Sequence, residues 1–281
     1  MDLIALVLIT LFAATVNGAL GYGFSSLTVP VALLFYTNRI LNPALVLVEV
    51  VINTYVLFIN RQSVPYIWRR VLPILLGVLP GVGLGSYILF MVKPGWLKFF
   101  TYFILLPLIL FQAAGVRRPI RSEKAVGVPF GMGIGILYSV TTISGPPLAL
   151  LFNNQGYAKQ EFRAALSVIR VAESTLTAVA YFFLGLYSVE SSQLLPLIVP
   201  SVLIGIPLGT YIIRRMDAET FRRLCMSFDA WVVGFGLSRV LIELNFATSP
   251  AAYNVLLAVV VIDAYLLYRF FRGRRAIRAP V

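Results

Sequence analysis

Pro30-Val-Ala-Leu-Leu-Phe35 returns as Pro147-Leu-Ala-Leu-Leu-Phe152, and Gly81-Val-Gly-Leu-Gly-Ser-Tyr-Ile88 returns as Gly205-Ile-Pro-Leu-Gly-Thr-Tyr-Ile212. The offsets are 117 (30 to 147) and 124 (81 to 205). Either match alone is cheap, because apolar segments draw on a small alphabet. Two matches in the same order at nearly the same offset point to an internal duplication. Duplicated bundles of membrane helices, broken near the start of each half by Gly and Pro, are a recurrent design of secondary transporters.

The surrounding composition agrees. Of 281 residues, 59% are hydrophobic and only 12% are charged, and mean hydropathy is +0.90. A soluble domain carries about 25% charged residues. Segments 71–91 and 97–115 each offer about the 20 apolar residues that a bilayer crossing needs. The chain is an integral membrane protein, with no segment left over for a soluble catalytic or DNA-binding domain. The N-terminus has no basic region ahead of its apolar run, so that run is expected to be a retained helix rather than a cleaved signal. A single cysteine, Cys225, excludes an internal disulfide, and the absence of histidine removes haem, the commonest zinc arrangements and histidine proton relays. No cofactor and no metal are expected.

Breaks in the apolar pattern predict spans near 3–37, 42–60, 71–91, 97–115, 125–152, 163–187, 193–213, 227–243 and 252–270. The first and fifth are too long for one crossing, short for two full ones, and interrupted by Gly, Pro, Ser and Thr. Each reads as a helical hairpin or re-entrant pair. Eighteen of the 23 Lys and Arg residues fall in a few loops and the tail: Arg61, Arg69 and Arg70; Arg117, Arg118, Arg121 and Lys124; Lys159 and Arg163; Arg214, Arg215, Arg222 and Arg223; and Arg269, Arg272, Arg274, Arg275 and Arg278. Placing these in the cytoplasm gives one consistent path, with the N-terminus outside and the C-terminus inside. This charge placement, rather than nucleic-acid binding, accounts for a net charge of +12. Each half is then a broken hairpin plus three crossings, so the second half enters from the opposite side. The expected fold is an all-α polytopic membrane protein of two inverted-topology repeats, 1–115 and 125–245, joined by a cytoplasmic linker, 116–124. Residues 252–281 add one helix and a basic tail. Asp263, six residues before Arg269, is placed near the inner interface.

The broken regions read Asn17-Gly-Ala-Leu-Gly-Tyr-Gly-Phe-Ser-Ser-Leu-Thr-Val-Pro30 and Gly131-Met-Gly-Ile-Gly-Ile-Leu-Tyr-Ser-Val-Thr-Thr-Ile-Ser-Gly-Pro-Pro147. Unwound backbone inside a membrane survives only where protein or a water-filled cavity covers it. A half-helix that starts there turns free N–H groups and a positive dipole end toward the cavity, which suits an anion. Asn17, Gly21, Tyr22, Gly23, Ser25, Ser26, Thr28, Ser139, Thr141, Thr142, Ser144 and Gly145 are therefore candidate substrate-binding positions. The plainer alternative is that such small residues let helices pack closely.

Charges within spans are costly and usually face a cavity or a partner. Arg170 and Glu49 lie seven residues into their spans, at near-equivalent depths from opposite faces. Arg170 is the candidate anion-holding charge, and Glu49 and Glu173 are candidates for proton coupling. Against this, Arg170 and Glu173 are three apart on one helix and could neutralise each other.

With Gly18-x-x-Gly21-x-Gly23 leading to Pro30, and Gly131-x-Gly133-x-Gly135 followed by Pro146-Pro147, the chain resembles the TauE/SafE (TSUP) family of sulfite and organosulfonate exporters over nearly its whole length. The run of consecutive glycines common in that family is replaced here by Gly21-Tyr-Gly-Phe-Ser-Ser. The resemblance implies movement of a small sulfur-containing or carboxylate anion across the cytoplasmic membrane of a bacterium. The expected function is a secondary anion transporter, exporting sulfite or an organosulfonate by alternating access. No G-x-x-x-x-G-K-[ST] nucleotide loop is present. An anion channel or a carboxylate transporter is the nearest rival. A membrane-embedded enzyme fits less well, given no histidine, one cysteine and no clustered acidic metal motif, and an assembly protein would not need mirrored polar breaks. The expected partners are the anion and the lipid bilayer, and not nucleic acid.

Overall fold

The computed structural model describes residues 2–115, 123–155, 159–212, 215 and 218–278, and every regular element among them is helical. In chain order these are α1 (Asp2–Leu20), α2 (Phe24–Ala32), α3 (Asn38–Asn60), a 3-10 turn at Arg61–Ser63, α4 (Val64–Met91), α5 (Pro94–Ala113), α6 (Glu123–Thr141), α7 (Gly145–Asn154), α8 (Lys159–Phe183), α9 (Val189–Ile212), α10 (Ala218–Glu243), α11 (Ser249–Ala252) and α12 (Asn254–Arg278). Seven stretches among the described residues are long and apolar enough to cross a bilayer. One of them, Asn38–Met91, contains both α3 and α4. Val126–Thr141 is apolar but shorter. The all-α polytopic membrane architecture expected from composition is the one the chain adopts.

The molecule is apolar outside and partly polar within, as a lipid solvent requires. Leu3, Val51, Phe183, Leu203 and Val261 are exposed, while Asn38, Asn42, Glu49, Glu173 and Asp263 are buried. Five prolines sit inside α4 and α9 (Pro73, Pro80, Pro196, Pro200 and Pro207), a load that helices in a membrane tolerate better than those in water.

Each region read as a hairpin is a 19-residue helix, a break, and a helix of 9 or 10 residues. At the usual rise the long arms reach about 28 Å and the short ones only about 14 Å, half the hydrocarbon thickness. The second break is not where the glycines suggested. Gly131, Gly133 and Gly135 lie inside unbroken α6, and the chain leaves helical geometry only at Thr142–Ser144.

The packing is reciprocal. α1 lies along α9 and α6 lies along α4, while α3 packs on α8 and α5 on α10. Glycine decides the two closest contacts. A Cβ on Gly81 would come 2.3 Å from Met132 O on α6, and one on Gly209 would come 1.8 Å from Thr15 O on α1. Gly131 answers from α6 with a site 2.0 Å from Ile74 O, and Gly18 from α1 with one 2.2 Å from Ile206 O. For Gly18, Gly131 and Gly135, close packing is the role the geometry assigns.

Several basic residues assigned to loops are helical. Arg69 and Arg70 belong to α4, and Arg222 and Arg223 to α10. Arg223 is buried, and its guanidinium holds Asp263 of α12 at 2.7 Å. That aspartate is itself inaccessible and accepts the Trp231 indole N–H at 3.1 Å, so it fastens α12 to α10. Arg117, Arg118, Arg121, Arg214 and linker positions 116–122 lie outside the described residues.

Candidate functional site

The two breaks meet inside the protein. Gly21 and Gly23 take φ of +84° and +114°, values that side chains rarely adopt, and between them Tyr22 turns inward, 8% exposed. Its ring lies against Gly145, where an added Cβ would be 3.5 Å from Tyr22 Cδ2. In the second break Thr142 has φ of +57°. Thr141 Oγ1 steadies this turn by donating to Leu137 O and accepting the Ile143 N–H. The start of α2 therefore sits beside the start of α7, and neither is capped by a side chain. Their donor counts differ. α2 opens with Phe24-Ser25-Ser26, whereas α7 opens with Gly145-Pro146-Pro147 and loses two N–H groups to proline.

Next to this junction is a buried charged trio. Arg170 Nη2 on α8 lies 2.8 Å from Glu49 Oε1 on α3, with both side chains at most 5% exposed. Ser25 Oγ donates to the same carboxylate oxygen at 2.7 Å, and the Tyr138 hydroxyl donates to Glu49 Oε2 at 2.6 Å. The partner of Arg170 is thus Glu49, across two helices, and not Glu173 three residues along its own helix. Helical spacing only brings side chains to one face. Here Glu173 turns to the second break, where Ser144 Oγ donates to Glu173 Oε2 at 2.5 Å. Ser25 at the start of α2 thus serves a glutamate of α3, and Ser144 just before α7 serves a glutamate of α8. Glu49 receives three donors, while Glu173 Oε1 and Arg170 Nε are buried without a hydrogen bond. With both carboxyls ionised the trio carries one net negative charge, and with one protonated it is neutral.

The remaining expected positions divide into groups. Ser26 Oγ donates to Gly23 O, and Thr142 Oγ1 donates to Thr141 O. Ser139 Oγ donates to Gly135 O and Val82 O, tying α6 to α4. Those hydroxyls serve backbone. The Thr28 hydroxyl and the Asn17 carbonyl oxygen are buried without a partner. Tyr22, Gly23 and Ser26 border a small cavity of about 20 Å³ with Arg222 and Asp229 of α10, room for roughly one water. Asn17 and Gly21 line a larger cavity of about 580 Å³.

Sequence reasoning missed Tyr138, although it stands in the broken segment beside Ser139. It also missed Asn38 and Asn42 of α3, whose side-chain amides both donate to Val140 O at 3.2 and 2.6 Å. Two asparagines in the first turns of an apolar helix are costly in lipid, and that was the available signal.

A family model described as sulfite exporter TauE/SafE matches residues 6–237. No curated protein and no solved structure matches the chain.

Proposed function

The chain belongs to the sulfite exporter TauE/SafE family, and we propose that it carries sulfite or an organosulfonate by alternating access, with the anion seated where α2 and α7 meet the Glu49–Arg170–Glu173 trio. The carrying observation is Arg170 Nε, buried and without a hydrogen bond beside two uncapped half-helix starts. An oxyanion with three acceptor oxygens can take that free edge and the N–H groups of α2 together. Ser25, Ser144 and Gly145 then lie at its border. Arg170 already balances Glu49, so an arriving anion adds uncompensated charge. A proton on Glu173 offsets it, and this makes Glu173 the coupling group while Glu49 holds the arginine in place.

An inverted repeat is supported by the reciprocal packing of α1 on α9 and α6 on α4, the pattern produced by a two-fold axis relating 1–115 to 125–245. The repeated motifs agree, since Gly81 and Gly85 approach α6 as Gly205 and Gly209 approach α1. The basic residues favour a cytoplasmic location for the Asn60, Arg163 and Arg215 end. In that orientation an inside-negative potential drives anion export. We read it as a protein of the bacterial cytoplasmic membrane with its N-terminus outside, supported by the basic residues at the cytoplasmic end.

Radiolabelled sulfite and methanesulfonate counterflow in proteoliposomes tests the reading. Saturable counterflow that Arg170→Gln abolishes, while the variant still inserts and purifies, supports it. Equal counterflow in Arg170→Gln refutes the assigned site, and leak without counterflow favours a channel.

A further inference from the structure

The cavity of about 580 Å³ lies between the end of α1, the end of α3, the start of α8 and the end of α9. Asn17, Gly21, Asn60, Arg163, Thr210 and Tyr211 line it. Asn17 borders the cavity but is only 2% exposed, and its carbonyl oxygen is buried without a partner. Gly21 forms the inner wall and begins the break that leads to α2. Arg163 Nε stands 3.9 Å from where a Cβ on Gly21 would sit.

The opposite end of the same helices is laced shut. From the start of α3, Asn38 and Asn42 both donate to Val140 O at the end of α6, and Asn38 also donates to Thr101 of α5. Arg39 donates to Leu89 O and Val92 O at the end of α4, at 3.0 and 2.9 Å. The Tyr181 hydroxyl of α8 donates to Ser139 O. The last carbonyls of a helix have no partner of their own. Pulling α3 away would leave those of α4 and α6 unsatisfied in a low dielectric.

We infer that the cavity at Arg163 is an oxyanion-docking vestibule of a state open to the Asn60 end, and that the contacts of Asn38, Arg39 and Asn42 form the closed gate at the other. This rests on the transport reading above. Arg163 draws the anion to the wall of the first break. Binding at the trio favours the alternative state only if the anion interacts better there than it does with the gate closed.

Thr210→Cys in a Cys225→Ser background, treated with a membrane-impermeant maleimide from the Asn60 side of oriented vesicles, tests this. The cysteine should label, and sulfite or methanesulfonate should slow labelling. Arg163→Gln should raise the protecting concentration about fivefold, as for loss of one exposed charge contact. Asn42→Ala, or Arg39→Gln should the first not fold, should slow labelling by shifting the protein to the opposite state. No labelling of Thr210→Cys overturns the vestibule. Labelling that neither anion slows overturns docking there, and labelling unchanged in the gate variants overturns the gate. Counterflow measured on the same preparation separates these results from failure of the transport reading itself.

Discussion

Arg170 and Glu49 stand 121 residues apart in sequence, yet their side chains meet at 2.8 Å in the interior. A pair like this does not owe its place to raw stability, because desolvating two charges costs about as much as their attraction returns. Its consequence is that losing either partner alone is costly.

Removing one member of a buried pair strands the other and costs about 3–5 kcal/mol. Glu49→Ala and Arg170→Ala should each lower the Tm of detergent-purified protein sharply, whereas the double variant should recover part of the loss. Thermal unfolding of the four proteins checks this as a double-mutant cycle. A double variant no more stable than the worse single one would mean the pair is not coupled as described.

Glu173 presents one oxygen to Ser144 and leaves the other without a partner. Glu173→Gln keeps the shape and an acceptor for the serine while removing the proton site. Counterflow, which needs no net movement of charge, should persist. Acceleration of net anion flux by an imposed pH gradient should vanish. Net flux that still responds fully to the gradient would take the coupling role from Glu173.

Much of this arrangement was legible from residue order, and the failures share a cause. The duplicated motifs marked positions that do the same job in both halves, because Gly81 and Gly205 each answer a facing helix backbone. Burial of Glu49 and Arg170 followed from their depth in apolar spans. The glycines of 131–135 misled, since glycine permits both unwinding and close approach, and only the facing helix α4 decides which occurs. The pairing of Arg170 misled too, because a spacing of three gives proximity on one helix but is silent about a helix more than a hundred residues away. Arg222 and Arg223 were counted as loop charges because position near a span end says nothing about which way an arginine turns.

The Arg223–Asp263 pair fastens α12, which lies beyond the matched residues 6–237. Asp263→Ala leaves the Arg223 guanidinium buried with Ser227 Oγ and the Asp263 backbone carbonyl as its acceptors. This variant should melt several degrees lower, while Arg223→Met combined with Asp263→Leu should regain most of the loss by apolar packing. Anion counterflow per folded molecule should change little in the double variant, because neither residue touches the trio. Calorimetry of the two variants, with counterflow normalised to folded protein, checks both halves of this expectation.

α4 offers the sharpest contrast, because neighbouring glycines on it face opposite surroundings. A Cβ on Gly85 would come 2.7 Å from Ile136 O and 2.8 Å from Ile136 Cα, both backbone atoms of α6 that cannot swing aside, whereas a Cβ on Gly83 would meet nothing within 4 Å. Gly85→Ala should therefore force α4 and α6 apart and cost about 1–3 kcal/mol, the range for overpacking a close contact. Gly83→Ala adds no clash and removes a flexible residue from a helix interior, so it should be neutral or gain up to about 1 kcal/mol. The same logic in α9 makes Gly209→Ala damaging through Thr15 O of α1. Melting temperatures that fall for Gly85→Ala and Gly209→Ala but not for Gly83→Ala mark both helix pairs as backbone contacts. Equal losses at all three positions would mean that glycine is needed along α4 and α9 for flexibility instead.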